Sequence, residues 1–374
     1  MNEASNKLYK KNLLGKIRCQ YILKQVLDHL HYMNLLRITR LNKKLRKLYD
    51  IKIEEYKKES FKIELEIYPK ENQAGKFINI RKGHESYFKI YFNNNRKEVN
   101  VQRIYKKDKV GKIKVIIDHK NNAFYGLFSD CKCIKKIKFL RFNRNNIVNM
   151  NLMFHGCSSL EELDLSKFKT DKVTTMFKMF AHCTSLKKLD LSKFNTNKVR
   201  DMNEMFSFCS NLQEINLSSF NTYNVESMDN MFWHCSSVEK LDLSNFNTKN
   251  VKSMFSMFSE CSSLRELDLS TFNTENVISM NSMFSNCTSL KKINLSNFNT
   301  KNVQEMSFMF DNNYSLVSLD LSSFNISNLR SAYWMFNNCS SLTKLKIPNF
   351  SRNLEGNNNM FNGCNSLKEI IHSD

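Results

Sequence analysis

Cys131, Cys157, Cys183, Cys209, Cys235, Cys261 and Cys287 stand 26 residues apart. Asn313 fills the next slot, Cys339 returns to phase, and Cys364 follows one residue early. A fixed period of this length marks a solenoid or repeat array and overrides local guesses about secondary structure. Superposed, the units read C-S-S-L-x-x-L-D-L-S-x-F-N-T-x-N-V-x-x-M-x-x-M-F-x-x. Sixteen of the 18 Met fall in two columns, Met150 to Met306 and Met153 to Met360. They are interleaved with Val and Phe, so core packing is expected there rather than a soft metal site.

Each unit carries two periodicities. Leu189 and Leu191 alternate with polar neighbours, as in a short strand with one buried face. Val199, Met202, Met205 and Phe206 recur at i, i+3, i+6 and i+7, which predicts a short helix with one buried stripe. One strand and one helix cannot close a core alone, whereas stacked units share a continuous one. The expected fold class is therefore α/β: a solenoid with an in-register parallel β-sheet on one face and short helices on the other. With no Gly between Cys157 and Arg352, turns fall to Asn, Ser and Thr, and the column from Asn195 to Asn325 is expected to form a side-chain ladder.

These motifs resemble leucine-rich repeats. LxxLxL followed by MFxxCxSLxxL is closest to the BspA-type repeats and covers about 128 to 374. The resemblance implies a leucine-rich-repeat solenoid of about nine to ten units over 123–374, and interaction or adhesion roles with unrelated partners. A BspA-like surface protein is one such role. The N-terminus shows no secretory signal and the chain no apolar run of about 18 residues. A cytoplasmic protein with no membrane association is therefore expected.

Nine thiols in one column cannot all pair, and zinc needs four ligands converging from different directions. Buried, reduced thiols are expected, with no metal and no cofactor. His182-Cys183 and His234-Cys235 lack a third orienting group. No phosphate loop, dinucleotide fingerprint, nucleophile elbow, HExxH or CxxC occurs, so no catalytic residue is assigned and an enzyme is not expected.

Two polar columns flank the strand leucines. In the first, Lys136, Glu162, Lys188, Glu214, Lys240, Glu266 and Lys292 alternate in charge, as register control would require. The second runs Lys138, Asp164, Asp190, Asn216, Asp242, Asp268, Asn294, Asp320, Lys346 and sets like charges on adjacent rungs. Either lysines of the first column bridge to it diagonally, or it is an acidic stripe that receives a basic segment. The candidate partner-binding surface on the concave sheet face is accordingly Asp164, Lys188, Asp190, Asn216, Lys240, Asp242, Asp268, Lys292, Asn294 and Asp320.

Residues 1–58 read as helical and basic, and 59–122 as a β-rich cap or linker, with Ile63, Leu65 and Ile67 alternating and Asn93-Asn94-Asn95 at a hairpin turn. Segment 20–50 resembles an F-box. Tyr21, Ile22, Val26, Leu27, Leu30, Leu35, Leu36 and Leu41 fall on that family's apolar positions, although Arg18-Cys19-Gln20 stands where the family has Pro. The resemblance implies a Skp1-like linker as partner and a role as substrate receptor of a ubiquitin ligase.

The formal net charge is +21, and residues 1–130 hold 30 basic and 14 acidic side chains against 21 and 22 in 157–374. Any polyanion belongs at the basic N-terminal half, and nucleic acid is not expected on the repeat face. The expectation is a monomeric, non-enzymatic interaction scaffold with protein partners. The alternatives are adhesion, or nucleic-acid binding through the N-terminal half.

Overall fold

In the computed structural model the described residues are 39, 43–48, 61–118, 124–142, 144–349 and 359–373. Of the expected helical segment they include Thr39 and one six-residue helix, α1 (Lys43–Leu48). The eight F-box-like positions, Tyr21 to Leu41, lie outside the described residues.

Ile63–Asp374 forms one compact unit, separate from Met1–Lys62. It begins with antiparallel strands: β1 (Ile63–Pro69), β2 (Gly75–Lys76), β3 (Phe88–Phe92), β4 (Glu98–Val99), β5 (Arg103–Ile104) and β6 (Ile113–Ile117). Their alternation of buried Ile, Leu and Val with half-buried charges is what one packed sheet face demands. β1 lies between β6 and β7 (Ile134–Phe142), and β7 in turn pairs parallel with β8 (Glu162–Asp164), the first step into the array. The antiparallel strands thus cover the sheet edge that the first coil would otherwise expose.

About nine coils follow, and they are almost entirely β and turn. The expected helices are absent among the described residues. Val199–Phe206 and its equivalents form successive four-residue turns, and their backbone groups are shared between coils. Met205 N donates to Met202 O within the coil, while Glu204, Phe206 and Phe208 donate to Asp229, Met231 and Trp233 of the next coil at 2.8–3.0 Å. Two residues per coil, such as Glu204 (φ 53°) and Phe208 (φ 58°), adopt the left-handed region and break any right-handed helix. A helix of two turns has little stability of its own. Sending every second N–H to the neighbouring coil gives the same segment long-range cohesion instead. Parallel bridges run unbroken along this spine from Asn149 through Thr175, Asp201, Ser227, Ser253, Ser279 and Glu305 to Ser331.

The expected continuous sheet is interrupted. After β8, β9 (Lys188–Asp190) pairs only with β10 (Glu214–Asn216), and β11 (Glu266–Asp268) only with β12 (Lys292–Asn294). β13 (Ser318–Asp320), β14 (Lys344–Pro348) and β15 (Glu369–Ser373) form a third group. The turn spine, not the sheet, is the continuous element of the stack.

Inside, both Met columns are fully buried, as expected, and the Phe column from Phe128 to Phe361 stacks at 5.4–5.8 Å between ring centroids. The loop letters N-T-x-N divide their work differently from the expected Asn ladder. The Asn195 column accepts from the backbone N–H two residues on in its own coil. The buried Thr196 column makes the coil-to-coil contact: its hydroxyl donates to Asn221 O and accepts from Asn221 N, both at 2.8 Å. The Asn224 column adds a hydrogen bond to the previous coil, its Nδ2 donating to Asn197 O at 2.6 Å.

Candidate interaction surface

The strand segments carry the proposed binding residues, and the structure gives most of them a structural partner. In the first column, ion pairs form where strands pair. Lys136 meets Glu162 across β7–β8, Lys188 meets Glu214 across β9–β10 (2.7 Å), Lys292 meets Glu266 across β11–β12 (4.0 Å), and Lys344 meets Glu369 across β14–β15 (3.0 Å). Lys240 sits in a gap between strand pairs, is exposed, and makes no ion pair among the described residues.

The second column is a set of loop caps. Oδ1 of Asp164, Asp190, Asn216, Asp242, Asp268, Asn294 and Asp320 each accepts from the Ser N–H two residues on, at 3.0–3.2 Å. Asp and Asn serve equally in this turn, which accounts for their mixing. The expected diagonal lysine bridges do not form: Lys188 is engaged by Glu214, and the one lysine on a column carboxylate among the described residues is Lys346 on Asp320, in the same column (2.9 Å). The Ser322 hydroxyl, with Lys346 in support, holds the Asp320 carboxyl down to about 2. The Ser244 hydroxyl lowers Asp242, and the Ser270 N–H lowers Asp268. Asp190, Asp242 and Asp268 remain exposed and free of lysine among the described residues, so the acidic stripe persists as a weaker feature than the sequence suggests.

The Cys column is buried as far as Cys339, and all ten described thiols are free. Each also has a bonding role that the sequence reading missed. Cys209 Sγ donates to Phe180 O at 3.1 Å, and the same 29-residue contact recurs from Cys157 to Cys339. Where Asn313 replaces Cys, its Nδ2 donates to Phe284 O at 2.8 Å. Burial pushes the Cys209 and Cys261 thiols up to about 12, which removes them from nucleophilic chemistry near neutral pH. His182 and His234 point into a ring ladder rather than at the thiols. His182 stacks on Phe208 at 4.6 Å, Phe208 stacks on His234 at 4.8 Å, and His234 bonds Glu260 at 2.6 Å.

Sequence reasoning also missed an exposed aromatic patch on the turn spine. Phe308, Tyr333 and Trp334 are 40, 40 and 37% exposed on adjacent coils, with Phe308 and Trp334 at 6.4 Å between centroids. They occupy the two variable positions of M-x-x-M (Ala332 replaces the first Met in the Tyr333–Trp334 unit), where other units mostly place Asn, Asp, Ser, Lys or Glu, with single aromatics at Phe177 and Phe255, and only here do aromatics fall on adjacent coils at the second position. An aromatic at a position free of core duty is the signal that was there to read.

A family model described as "Mycoplasma protein of unknown function, DUF285" matches residues 122–238, 189–293 and 264–373, overlapping stretches that together span well over half the chain. BspA-like repeat proteins carry this domain. No curated protein matches the chain. No helix among the described residues is long and apolar enough to cross a membrane.

Proposed function

The chain belongs to the DUF285 family, and we propose that it is a non-enzymatic protein-interaction scaffold whose array surface holds a protein partner. The observation that carries this reading is the Phe308–Tyr333–Trp334 patch. Large aromatics left in water on a rigid, bonded framework cost solubility and add nothing to the core. Tyr and Trp are also the residue types that dominate binding energy at protein interfaces. The exposed Asp190, Asp242 and Asp268, with the unpaired Lys240, provide a polar surface that sets charge preference in the partner.

Affinity purification followed by mass spectrometry tests this, with Tyr333→Ala/Trp334→Ala and Asp190→Lys/Asp268→Lys compared against the parent chain. A partner retained by the parent and lost by the aromatic variant, with thermal unfolding unchanged, supports the scaffold. Identical recovery by all three proteins overturns it.

The F-box resemblance of segment 20–50 rests on its sequence alone, and the family match does not reach it. A Skp1-like linker is accordingly a proposed second partner. Its co-purification, lost on removal of residues 1–55, supports that half of the proposal. Repeated pull-downs without such a linker overturn it and leave the array's role intact.

A further inference from the structure

A cleft of about 700 Å³ lies between the antiparallel strands and the start of the turn spine. Its floor is apolar, made by buried Ile80, Ile117, Phe124 and Leu127. Its rim carries Lys76, Arg81 and Tyr125, and no Asp or Glu among the described residues lines it. That volume falls in the range of small-molecule sites, which combine an apolar floor with a few convergent polar groups.

Three features define what would fill it. First, Lys76 and Arg81 have no anionic partner among the described residues, whereas Lys114 on β6 pairs with Glu64 and Lys112 just before it pairs with Glu66. Two unneutralised cations on one rim favour a phosphate, and the Arg fork matches it with two parallel bonds. Second, Tyr125 is 63% exposed, beside the cleft's apolar floor. A ring so placed offers a face on which a base can stack. Third, the polar groups inside are half used. Gln102 Oε1 accepts from Ile80 N (2.7 Å), which leaves its NH2 to donate. Asn79 Nδ2 donates to Gly126 O and Ser129 O (2.9 and 2.7 Å), which leaves its Oδ1 to accept. A donor and an acceptor held in place by those bonds suit the hydrogen-bonding edge of a heterocyclic base.

We propose that this cleft binds a nucleotide, with the phosphate on Lys76 and Arg81, the base against Tyr125, and the base edge met by Gln102 and Asn79. The ligand is either a free mononucleotide or one nucleotide of a single strand. The site is independent of the array surface assigned to a protein partner.

Fluorescence titration of the full chain with methylanthraniloyl-AMP tests it. Saturable binding is expected, weakened about tenfold or more by Lys76→Ala/Arg81→Ala and clearly weakened by Tyr125→Ala. It should be unchanged by Lys301→Ala, which removes an exposed lysine on a distant coil. Circular dichroism verifies that each variant is folded. Competition then identifies the source: a five-nucleotide single strand that displaces the probe at lower concentration than AMP assigns the site to nucleic acid, and the reverse order to free nucleotide. Absence of saturation up to about millimolar probe overturns the proposal. So does binding indifferent to the rim variants, and so does displacement by inorganic phosphate as efficient as by AMP.

Discussion

Lys188 Nζ lies 2.7 Å from Glu214 Oε1, and the two residues are register partners at the first position of the β9–β10 pair. The neighbouring rungs of the same column, Glu162 to Lys188 and Glu214 to Lys240, carry equally opposite charges but lack both the strand pairing and the ion pair. Charge and backbone pairing therefore go together along this column.

That coupling gives a measurable outcome. Lys188→Glu sets two carboxylates on adjacent strands and should lower stability by about 0.5–1 kcal/mol. Glu214→Lys should do the same, and the charge-swapped double variant should recover most of the loss. Lys240→Glu, at a rung without an ion pair, should change stability by less than about 0.5 kcal/mol. Urea unfolding of the four variants measures all of this. Equal effects at Lys188 and Lys240 would refute the coupling.

The turn spine predicts a stabilising change. Ser282 is held at φ 56°, a region that costs an L-residue about 1–2 kcal/mol and glycine far less. Ser282→Gly should therefore raise the unfolding midpoint despite the added chain entropy. The reverse holds at Gly156, where φ is 67° and an added Cβ would collide with Asp130 Oδ1. Gly156→Ala should cost about 1–2 kcal/mol. Were the segment helical, both signs would invert, since helices penalise glycine and favour alanine.

The sequence displayed the period, the coil count and the core columns because one residue type repeats at each core position. It misled over Val199–Phe206 because a buried stripe at i, i+3 and i+6 is common to a short helix and to a run of four-residue turns. The discriminating signal was in the position before each Cys, or before Asn313 in its slot, where Asp130, Gly156, His182, His234, Asn286, Asn312, Asn338 and Gly363 are types that favour the left-handed region and only Phe208 and Glu260 are not. The candidate surface was legible by position and misjudged in role. A column of Asp and Asn two residues before Ser spells a side-chain-capped turn as well as an acidic stripe. The aromatic patch was readable from its repeat positions, since Phe308 and Trp334 stand one period apart. The basic cleft was hidden for a different reason: it is assembled from residues distant in the chain, and repetition does not mark it.

Asp320 gives the array a dependence on acid. The Ser322 hydroxyl and Lys346 hold its carboxyl at about 2 in the folded state, below the value near 3.9 expected unfolded. A lowered folded value means that the stabilisation is complete above about pH 4 and is lost as pH falls toward about 2. Asp320→Asn keeps an Oδ1 to accept from Ser322 N–H and removes the titration. Its stability should match the parent chain's at pH 2, lie slightly below it at pH 7, and show a flatter profile between. A parent and variant with parallel profiles from pH 7 to 2 would show that Asp320 contributes nothing to the acid response.

Asn313 tests what the Cys column is for. If the column required only a small apolar side chain, Asn313→Val would stabilise by removing a buried amide. If it requires a donor to the Phe carbonyl of the preceding coil, Val should leave Phe284 O short of a partner and cost about 1–2 kcal/mol. Asn313 Oδ1 is buried without a hydrogen-bond partner, so Asn313→Cys keeps a donor and removes that penalty. Asn313→Cys should therefore be as stable as the parent or more so, by up to about 1 kcal/mol, and Cys209→Val should resemble Asn313→Val. Thermal unfolding of the three variants decides the matter, and a stabilised Asn313→Val would reduce the column to packing alone.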